Sequence, residues 1–374
     1  MGAVHLSTAA TDAEWAPQPD AVWYRVGQTF RDPMEHTRII RLRVEKLNKR
    51  EGNDRTIIFD APRAGPTPAF RDLFVQHYAG IRAAVERFEQ PGLALIALEP
   101  GGVAATACIA AKADAVNTAI VGRHGLADVY LPIDPSLSLR HLMVILHPDQ
   151  QGGPTRFRIV NLRTDAAFED EDGRRLDAVE ADGPVFIRCG AYALLGFPIG
   201  PEMTWPADAQ AGWAALPERV FLDEWDQPPP RIRDRRAGVT LVRAIESAEM
   251  VSESVILANE PVRGTLTFES DDGRFQMDVA ERSLAQGVLL GRYPRCDNDH
   301  LDPFNVLSNP NISRVHVLLL EIDGAVYALD TASSNGLQRD GQDMRVVPLG
   351  DAATFTLCGD LVRATWTRRR PADA

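Results

Sequence analysis

The stretch Val288-Leu289-Leu290-Gly291-Arg292 decides the fold of this chain, because the sequence contains a second version of it. Ala119-Ile120-Val121-Gly122-Arg123 lies 169 positions earlier and has the same apolar run before Gly-Arg. Phe355-Thr356-Leu357-Cys358-Gly359 has a counterpart at the same spacing of 169, Phe186-Ile187-Arg188-Cys189-Gly190. Two matched pairs at one spacing indicate an internal repeat.

A third pair lies between these anchors. Ser313-Arg314-Val315-His316 matches Ser138-Leu139-Arg140-His141 at a spacing of 175, so the first copy is six residues shorter at this point. The first copy regains that length around 150–155, in a polar stretch. Insertions confined to polar loops are typical of two copies of one domain. The three ordered pairs therefore predict a tandem repeat.

Both copies have the residue pattern of β-strands. In the second copy, Gly264–Ser270, Ala325–Leu329 and Ala353–Leu357 alternate apolar and polar residues, and turn dipeptides such as Asp323-Gly324 separate them. Short alternating runs between turns are typical of antiparallel sandwiches. The predicted fold class is all-β, with two antiparallel β-sandwiches. The runs of the first copy are Leu93–Leu98, Ala105–Ala111, Leu142–Leu146, Phe157–Val160, Val185–Arg188 and Ala191–Phe197.

Length and composition restrict the function. The chain has 374 residues, with 40 Lys+Arg, 52 Asp+Glu and a net charge of −12, and this length suffices for about two domains. The acidic balance argues against general binding to nucleic acid or to a membrane surface, since both are anionic. Four cysteines without CxxC spacing and an N-terminus unlike a secretory signal predict a reducing compartment, the cytoplasm. The excess of Arg over Lys favours a bacterial source.

An amphipathic helix is predicted outside the two copies, at 67–91. Apolar residues recur there at spacings of three and four between Phe70 and Phe88, which is the period of a helix with one buried face. The segment 1–66 is predicted to be flexible and contains the basic run Arg38–Arg50. A solvated face and a patch for nucleic acid or an acidic partner are both open interpretations of that run.

The segment between the copies is rich in Pro and Trp. Trp205, Trp213 and Trp225 are predicted to pack against a sandwich, because a free coil rarely carries so many large aromatic side chains. The predicted regions are a flexible N-terminal region with a basic segment (1–66), an amphipathic helix (67–91), a first sandwich (92–199), a linker (200–262) and a second sandwich (263–368).

Three motifs of the second copy occur in order on this β pattern. They are Gly291-Arg292, Ser313-Arg314-Val315-His316 and Ser334-Asn335-Gly336. This set resembles the forkhead-associated (FHA) domain, a β-sandwich whose loops bind phosphothreonine peptides. The resemblance covers about 264–368 well and about 92–198 more loosely.

The resemblance implies a phosphopeptide site on the second copy. A phosphothreonine carries about −1.5 to −2 charges and three strong acceptor oxygens, so its recognition requires cations and short donors. By the resemblance, arginine side chains grip the phosphate, serine hydroxyls donate to it, and an asparagine amide binds the peptide main chain. The residues that would do this are Arg292, Ser313, Arg314, Ser334 and Asn335.

Other members of the motifs have structural roles by the same resemblance. His316 ties the serine loop to its neighbours without touching phosphate. Gly291 completes the Gly-Arg motif, and Gly336 serves the turn, since Asn-Gly is a strong turn dipeptide. Cys189 and Cys358 are interpreted as buried small hydrophobes at matching strand positions.

The first copy departs from the pattern and is predicted to be degenerate. Arg123, Ser138 and His141 are present, but Leu139 stands where the second copy has Arg314. Aligning Phe168 with Leu337 places Ala166-Ala167 where Asn335-Gly336 stands, so the main-chain clamp is missing.

The leading hypothesis is a signalling adaptor that binds a phosphothreonine-containing protein, such as a Ser/Thr kinase or its substrate. The alternative is a phosphate-independent interaction scaffold. An enzyme is not expected, since the common catalytic motifs are absent from the sequence, and no cofactor, metal, nucleic acid or membrane partner is predicted. The run Glu169–Asp172 is interpreted as a solvated turn. Within the loop from Tyr293 to Ile312, acidic side chains are expected to favour a basic or polar peptide residue: Asp297, Asp299 and Asp302.

Overall fold

The structure is a computed structural model of the chain. It describes residues 68–148, 154–164, 167–200, 205–222, 239–246, 261–299, 301–302, 304 and 306–369. The predictions for Arg38–Arg50, for Trp225 and for Ala166 lie outside the described residues. The predicted all-β class is confirmed, with two antiparallel sandwiches and a helix before the first.

The helix α1 spans Phe70–Val85, within the predicted 67–91. Its apolar face includes Phe74 and Ile81, both fully buried. This face packs against one side of the first sandwich and forms a separate apolar cluster there. The predicted amphipathic helix is thus confirmed, and it covers a sheet face that would otherwise be exposed to water.

The first sandwich contains ten strands whose hydrogen bonds run in the order β2-β1-β10-β9-β7-β8-β6-β5-β3-β4 once the strands are numbered along the chain. The pairing of β7 with β8 connects the two layers into one continuous sheet. The strands are β1 (Gly92–Glu99), β2 (Gly102–Ala110), β3 (Asn117–Gly122), β4 (Val129–Tyr130), β5 (Leu142–Leu146), β6 (Phe157–Asn161), β7 (Phe168–Glu169), β8 (Arg175–Ala181), β9 (Val185–Cys189) and β10 (Tyr192–Ile199).

Strands β1 and β5 of the first sandwich are buried on both faces, one strand in each layer, and successive side chains of a strand point to opposite sides. On β1, Leu95 faces the sandwich core while Ile96 faces α1. On β5, Val144 faces the sandwich core while Met143 faces the second sandwich. This double burial explains why these strands are continuously apolar instead of alternating.

The predicted linker contains regular structure that extends the first sandwich. Helix α2 (Ala209–Ala214) and strand β11 (Glu218–Leu222) are followed by strand β12 (Val239–Glu246). β12 pairs antiparallel with β8 and parallel with β11, so it adds an edge to the sheet. The tryptophan prediction is confirmed for Trp205 and Trp213, whose rings lie 5.3 Å from the ring of Phe197 in β10 and 5.5 Å from the ring of Phe186 in β9.

The second sandwich has separate sheets of six strands and four strands, in the orders β14-β13-β22-β21-β18-β19 and β15-β16-β17-β20. Its core contains the fully buried Trp366 and Phe355 from one sheet and Leu319 from the other. The elements are β13 (Val262–Ser270), β14 (Gly273–Ala280), α3 (Glu281–Gln286), β15 (Val288–Leu290), β16 (Val317–Ile322), β17 (Ala325–Asp330), β18 (Leu337–Arg339), β19 (Gln342–Asp343), β20 (Val346–Pro348), β21 (Ala352–Leu357) and β22 (Val362–Arg368).

The two sandwiches pack face to face, the layer of the first that contains β5 against the four-stranded sheet of the second. One apolar cluster joins side chains of both, with Met143 and Ile145 of β5 on one side and Leu318 and Leu320 of β16 on the other. Ion pairs surround this cluster, namely Arg345–Asp128 at 3.2 Å, Arg163–Asp297 at 2.7 Å and Arg156–Asp323. Because corresponding strands of the two sandwiches supply the cluster, the repeat itself forms the interface.

The predicted turn at Glu169–Asp172 is present and Asp172 is exposed, but the interpretation of the run as solvated is wrong for Asp170 and Glu171. Asp170 is only 2% exposed and accepts hydrogen bonds from the Arg174 side chain and backbone. Arg219 donates to a Glu171 carboxylate oxygen at 2.8 Å, and burial raises the pKa of Glu171. The run fixes the segment containing β11 against the sandwich, which sequence reading missed because Arg219 lies far away in the chain.

Candidate functional site

The Gly-Arg motif of the second sandwich directly follows β15. A Cβ atom on Gly291 would lie 2.2 Å from the Arg314 carbonyl oxygen, so only glycine allows this close approach of two loops. The Gly291 backbone N–H donates to the buried Asn298 side chain at 2.9 Å. The next residue, Arg292, is exposed, and its Nε donates to the Ile312 carbonyl oxygen at 2.9 Å. That bond holds the guanidinium beside the loop that carries Ser313.

The Ser-x-x-His motif connects two loops through the buried His316. The Ser313 backbone N–H donates to His316 Nδ1 at 3.1 Å, so Nε2 carries the ring proton and donates to the Gly336 carbonyl oxygen at 2.9 Å. Burial lowers the pKa of His316, and the bond to Gly336 opposes that effect in part. The neutral ring therefore fixes the serine loop to the Asn-Gly turn.

The Ser-Asn-Gly motif lies between β17 and β18. The Ser334 backbone N–H donates to Ser313 Oγ at 3.0 Å, which leaves the Ser313 hydroxyl proton free to point toward a ligand. Asn335 Nδ2 donates to the Asn311 carbonyl oxygen at 2.8 Å, while its amide oxygen stays available. Gly336 has a φ of 73°, which favours glycine at this turn.

The five predicted contact residues share one end of the second sandwich. Arg292, Arg314, Ser334 and Asn335 are exposed, and Ser313 is 8% exposed. Within the described residues, Arg314 has no ion pair and the terminal nitrogens of Arg292 have no acceptor. A guanidinium held at the serine loop next to a free hydroxyl, with a second exposed arginine adjacent in the chain, is a donor set that suits a phosphate group.

The structure adds residues to this site that the motifs did not indicate. Asn298 and Asn311 hold the loops, as described above. Cys358, interpreted as a buried strand residue, is instead half-buried with a φ of 57° just after β21, and its thiol donates to the Asn311 carbonyl oxygen at 2.9 Å. Cys189 is fully buried as predicted. Arg140 of the first sandwich also reaches this end, which no sequence motif could indicate.

The prediction that acidic residues of the 293–312 loop select the peptide is wrong for two of them. Asp297 pairs with Arg163 of the first sandwich and accepts from the Leu289 backbone N–H at 2.8 Å. Asp302 is 7% exposed and accepts from the Leu307 backbone N–H at 2.8 Å. Both carboxylates hold the fold, so neither is available to a ligand.

The first sandwich repeats half of this arrangement. A Cβ atom on Gly122 would lie 2.4 Å from the Leu139 carbonyl oxygen, and Arg123 Nε donates to the Leu137 carbonyl oxygen. The Ser138 backbone N–H donates to His141 Nδ1 at 3.2 Å. These contacts correspond one by one to those of the second sandwich.

The other half is missing. His141 Nε2 is buried and has no hydrogen-bond partner among the described residues, whereas its counterpart binds Gly336. The Leu139 side chain is 54% exposed at the position of Arg314. Leu126 and Ile133, in neighbouring loops, are 74% and 70% exposed. The first sandwich thus has an exposed leucine at the position of Arg314 and further exposed apolar side chains in neighbouring loops.

Two further features restrict the chemistry of the described residues. Among the described residues, histidine, cysteine and carboxylate side chains form no group of three that would hold a metal ion. None of the described helices combines the length and the apolar character that a membrane span requires.

Comparison with known proteins yields FHA domains only at the level of solved structures. No protein-family model matches the chain, and no curated protein matches it. The chain is similar to FHA-1 of Mycobacterium tuberculosis Rv1747, with 25% sequence identity, coverage of 29% of this chain and 99% of that chain, and a TM-score of 0.23. It is similar to the FHA domain of the CT664 protein from Chlamydia trachomatis, with 19% identity, the same coverages and a TM-score of 0.24.

A third similar structure contains a ligand. The yeast Dun1 FHA domain, in complex with a doubly phosphorylated (pT) peptide derived from Rad53 SCD1, is 18% identical; the match covers 38% of this chain and 92% of that chain with a TM-score of 0.26. Each match spans roughly the length of one sandwich.

Proposed function

We propose that the second sandwich binds phosphothreonine peptides and that the chain is a signalling adaptor built of two FHA-like domains in tandem. The partner is a phosphothreonine-containing protein, such as a Ser/Thr kinase or one of its substrates. In this proposal the protein is a bacterial cytoplasmic binding protein and not an enzyme, and the first sandwich has lost the phosphopeptide clamp.

The bond from the Ser334 backbone to Ser313 Oγ carries the proposal. Because that oxygen already accepts a hydrogen bond, its proton is free to donate to a phosphate oxygen. Arg292 lies beside it through the bond to Ile312 and supplies charge-assisted donors. His316 fixes both loops, so little ordering is needed when a ligand binds.

The overall negative charge of −12 is compatible with an anionic ligand. A phosphate pocket requires only a local positive potential, which the two exposed arginines Arg292 and Arg314 supply. The negative field of the remaining surface disfavours nonspecific anions and slows association slightly. This combination favours a short phosphorylated peptide over a polyanion.

The test is a titration of the full chain with peptides. A library with a fixed central phosphothreonine selects a peptide, which is then compared with its unphosphorylated form by fluorescence polarisation. We expect micromolar binding that depends on the phosphate. Removal of the Ser313 hydroxyl in Ser313→Ala weakens binding roughly tenfold, the contribution of a hydrogen bond to a charged group.

The matched control is Ser138→Ala, which removes the corresponding hydroxyl of the first sandwich. It leaves the affinity unchanged in this proposal. A folded chain that shows no preference for the phosphorylated peptide contradicts the proposal, and so does an equal loss of affinity in the two variants.

One observation favours a second function, restricted to the first sandwich. Leu126, Ile133 and Leu139 are exposed in the loops of that sandwich, where the second sandwich carries its cationic site. Exposed apolar side chains gathered in loops are typical of a protein contact surface. We infer a phosphate-independent protein contact there, and its removal by Leu126→Ser with Leu139→Ser is measurable by pull-down with dephosphorylated partner protein.

A further inference from the structure

Arg140 crosses from the first sandwich to the candidate site of the second. It immediately precedes His141 in the loop before β5. Its Nη2 donates to Ser334 Oγ at 3.4 Å, across 194 positions of the chain. Ser334 in turn donates its backbone N–H to Ser313 Oγ at 3.0 Å. A guanidinium of one sandwich therefore lies next to the two serines of the other.

The donors of this guanidinium are largely unused. Arg140 Nε is buried and has no hydrogen-bond partner among the described residues. The contact with Ser334 is long, and Arg140 forms no ion pair in that part of the chain. Asp330 contributes an attractive charge, but burial dominates and lowers the pKa of Arg140. A half-buried cation without a paired anion has part of its hydration removed and no ion pair to offset that cost.

Other arginines between the sandwiches do form ion pairs with carboxylates. Arg345 pairs with Asp128 at 3.2 Å and Arg163 pairs with Asp297 at 2.7 Å. Arg156 pairs with Asp323. Each of these arginines has a carboxylate from the opposite sandwich, whereas Arg140 has a neutral hydroxyl at the edge of the candidate site. Asp330 attracts Arg140 without forming an ion pair with it, so a phosphorylated ligand supplies the directly paired anion.

We propose that the phosphopeptide site is composite and that Arg140 of the first sandwich supplies a third guanidinium to the pocket of the second. This inference rests on the proposed function. A phosphothreonine with about two negative charges, seated between Ser313 and Ser334, meets Arg292 and Arg314 from its own sandwich and Arg140 from the other. The first sandwich then contributes to binding through its docking and not through a site of its own.

The experiment is a titration of full-length variants with the library-selected phosphothreonine peptide. Arg140→Gln is expected to weaken binding about tenfold, the contribution of a charge-assisted hydrogen bond. Its affinity for the unphosphorylated peptide remains unchanged. Arg140→Lys keeps the charge and recovers most of the loss.

Arg156→Gln is the matched control. It also removes a positive charge and a contact between the sandwiches, but Asp323 lies at the opposite end of β16, roughly 20 Å from Ser334 for a strand of six residues. This variant is expected to bind within twofold of the unaltered chain. Thermal unfolding of every variant establishes that it is folded.

The outcomes separate the two proposals. If the unaltered chain shows no phosphate-dependent binding, the proposed function fails, and the composite site fails with it. If the unaltered chain binds and Arg292→Ala does not, while Arg140→Gln binds within twofold, the composite site alone is wrong. Tighter binding by Arg140→Gln, or an equal loss in Arg156→Gln, also contradicts it, since Arg140 then blocks the pocket or only holds the interface.

Discussion

The two sandwiches share a frame, which consists of the contacts of their Gly-Arg and Ser-x-x-His motifs, and differ in one loop. In both, a glycine allows the close approach of a carbonyl oxygen from the serine loop. The arginine after it donates its Nε to the carbonyl oxygen of Leu137 in the first sandwich and of Ile312 in the second. In both, a buried histidine accepts from a serine backbone N–H. In the second, a Ser-Asn-Gly loop also bonds to the serine loop, through the Ser334 backbone N–H and the Asn335 side chain.

The frame therefore forms with or without the Ser334-Asn335-Gly336 loop, which we call the clamp. His316 spans from Ser313 to Gly336, so it connects frame and clamp. His141 keeps the bond to Ser138, but its Nε2 has no partner among the described residues. The first sandwich thus keeps the contact that holds its own serine loop, while the described residues show no bond from His141 to a second loop.

The largest expected difference between the sandwiches is in ligand binding. Arg292→Ala removes the guanidinium that is bonded to the Ile312 carbonyl oxygen next to Ser313, and we expect a loss of phosphopeptide affinity of about a hundredfold, or roughly 3 kcal/mol. Arg123→Ala removes the corresponding arginine of the first sandwich and leaves the affinity unchanged. Isothermal titration of both full-length variants makes the comparison.

A loss of similar size in the two variants would contradict the expected difference between the sandwiches, because the first sandwich would then bind ligand as well. Circular dichroism and unfolding curves of both variants provide the control for correct folding.

The next difference concerns stability. His316→Leu leaves the Ser313 backbone N–H and the Gly336 carbonyl oxygen without a partner, at a cost of about 3 kcal/mol in the free energy of unfolding. His141→Leu leaves only the Ser138 backbone N–H unpaired and removes a buried donor that had no partner, so the loss is about 1 kcal/mol. Guanidinium denaturation of the two variants tests this order, and a reversed order would show that His141 has a partner.

Acid should affect the first sandwich through the same histidine. Burial lowers the pKa of His141 from an ordinary 6.5 to about 4, so the unfolded chain takes up a proton at a higher pH than the folded one. The contribution of neutral His141 to the free energy of unfolding is complete above pH 6.5. It is lost as the pH falls toward 4, and the loss reaches about 1 kcal/mol at pH 5.5. The difference in unfolding free energy between the unaltered chain and His141→Leu should shrink by that amount between pH 7.5 and 5.5.

Much of the shared frame could be predicted because it is local. The repeat spacing of 169 placed corresponding strands, and each of the three motifs marks a loop whose backbone needs a particular residue, as Gly291 does beside the Arg314 carbonyl oxygen. The helix at Phe70–Val85 followed from its period. Such features depend on neighbours in the chain and so leave a periodic or spaced pattern.

The remaining features depend on contacts between distant segments. Asp297 was interpreted as a ligand-selecting residue, but it pairs with Arg163 of the other sandwich. Glu171 was interpreted as solvated, but it pairs with Arg219. One available signal was overlooked: Leu142–Leu146 does not alternate, and a strand that is apolar at every position is buried on both faces. That pattern predicts a second layer over the sandwich, which the other sandwich supplies.

The smallest expected effect comes from restoring a single cation to the first sandwich. Leu139→Arg places a guanidinium where the second sandwich has Arg314, on a loop whose serine and histidine already have the corresponding bonds. We expect less than a threefold gain in phosphopeptide binding when the second site is removed by Arg292→Ala. The reason is that the Ser138 hydroxyl still lacks a loop like that of Ser334 to orient it, and no asparagine holds the peptide main chain.

A gain of tenfold or more would mean that charge alone makes the site and that the clamp matters little. A gain below threefold, measured beside a Leu139→Gln control, would show that the loop carries the function.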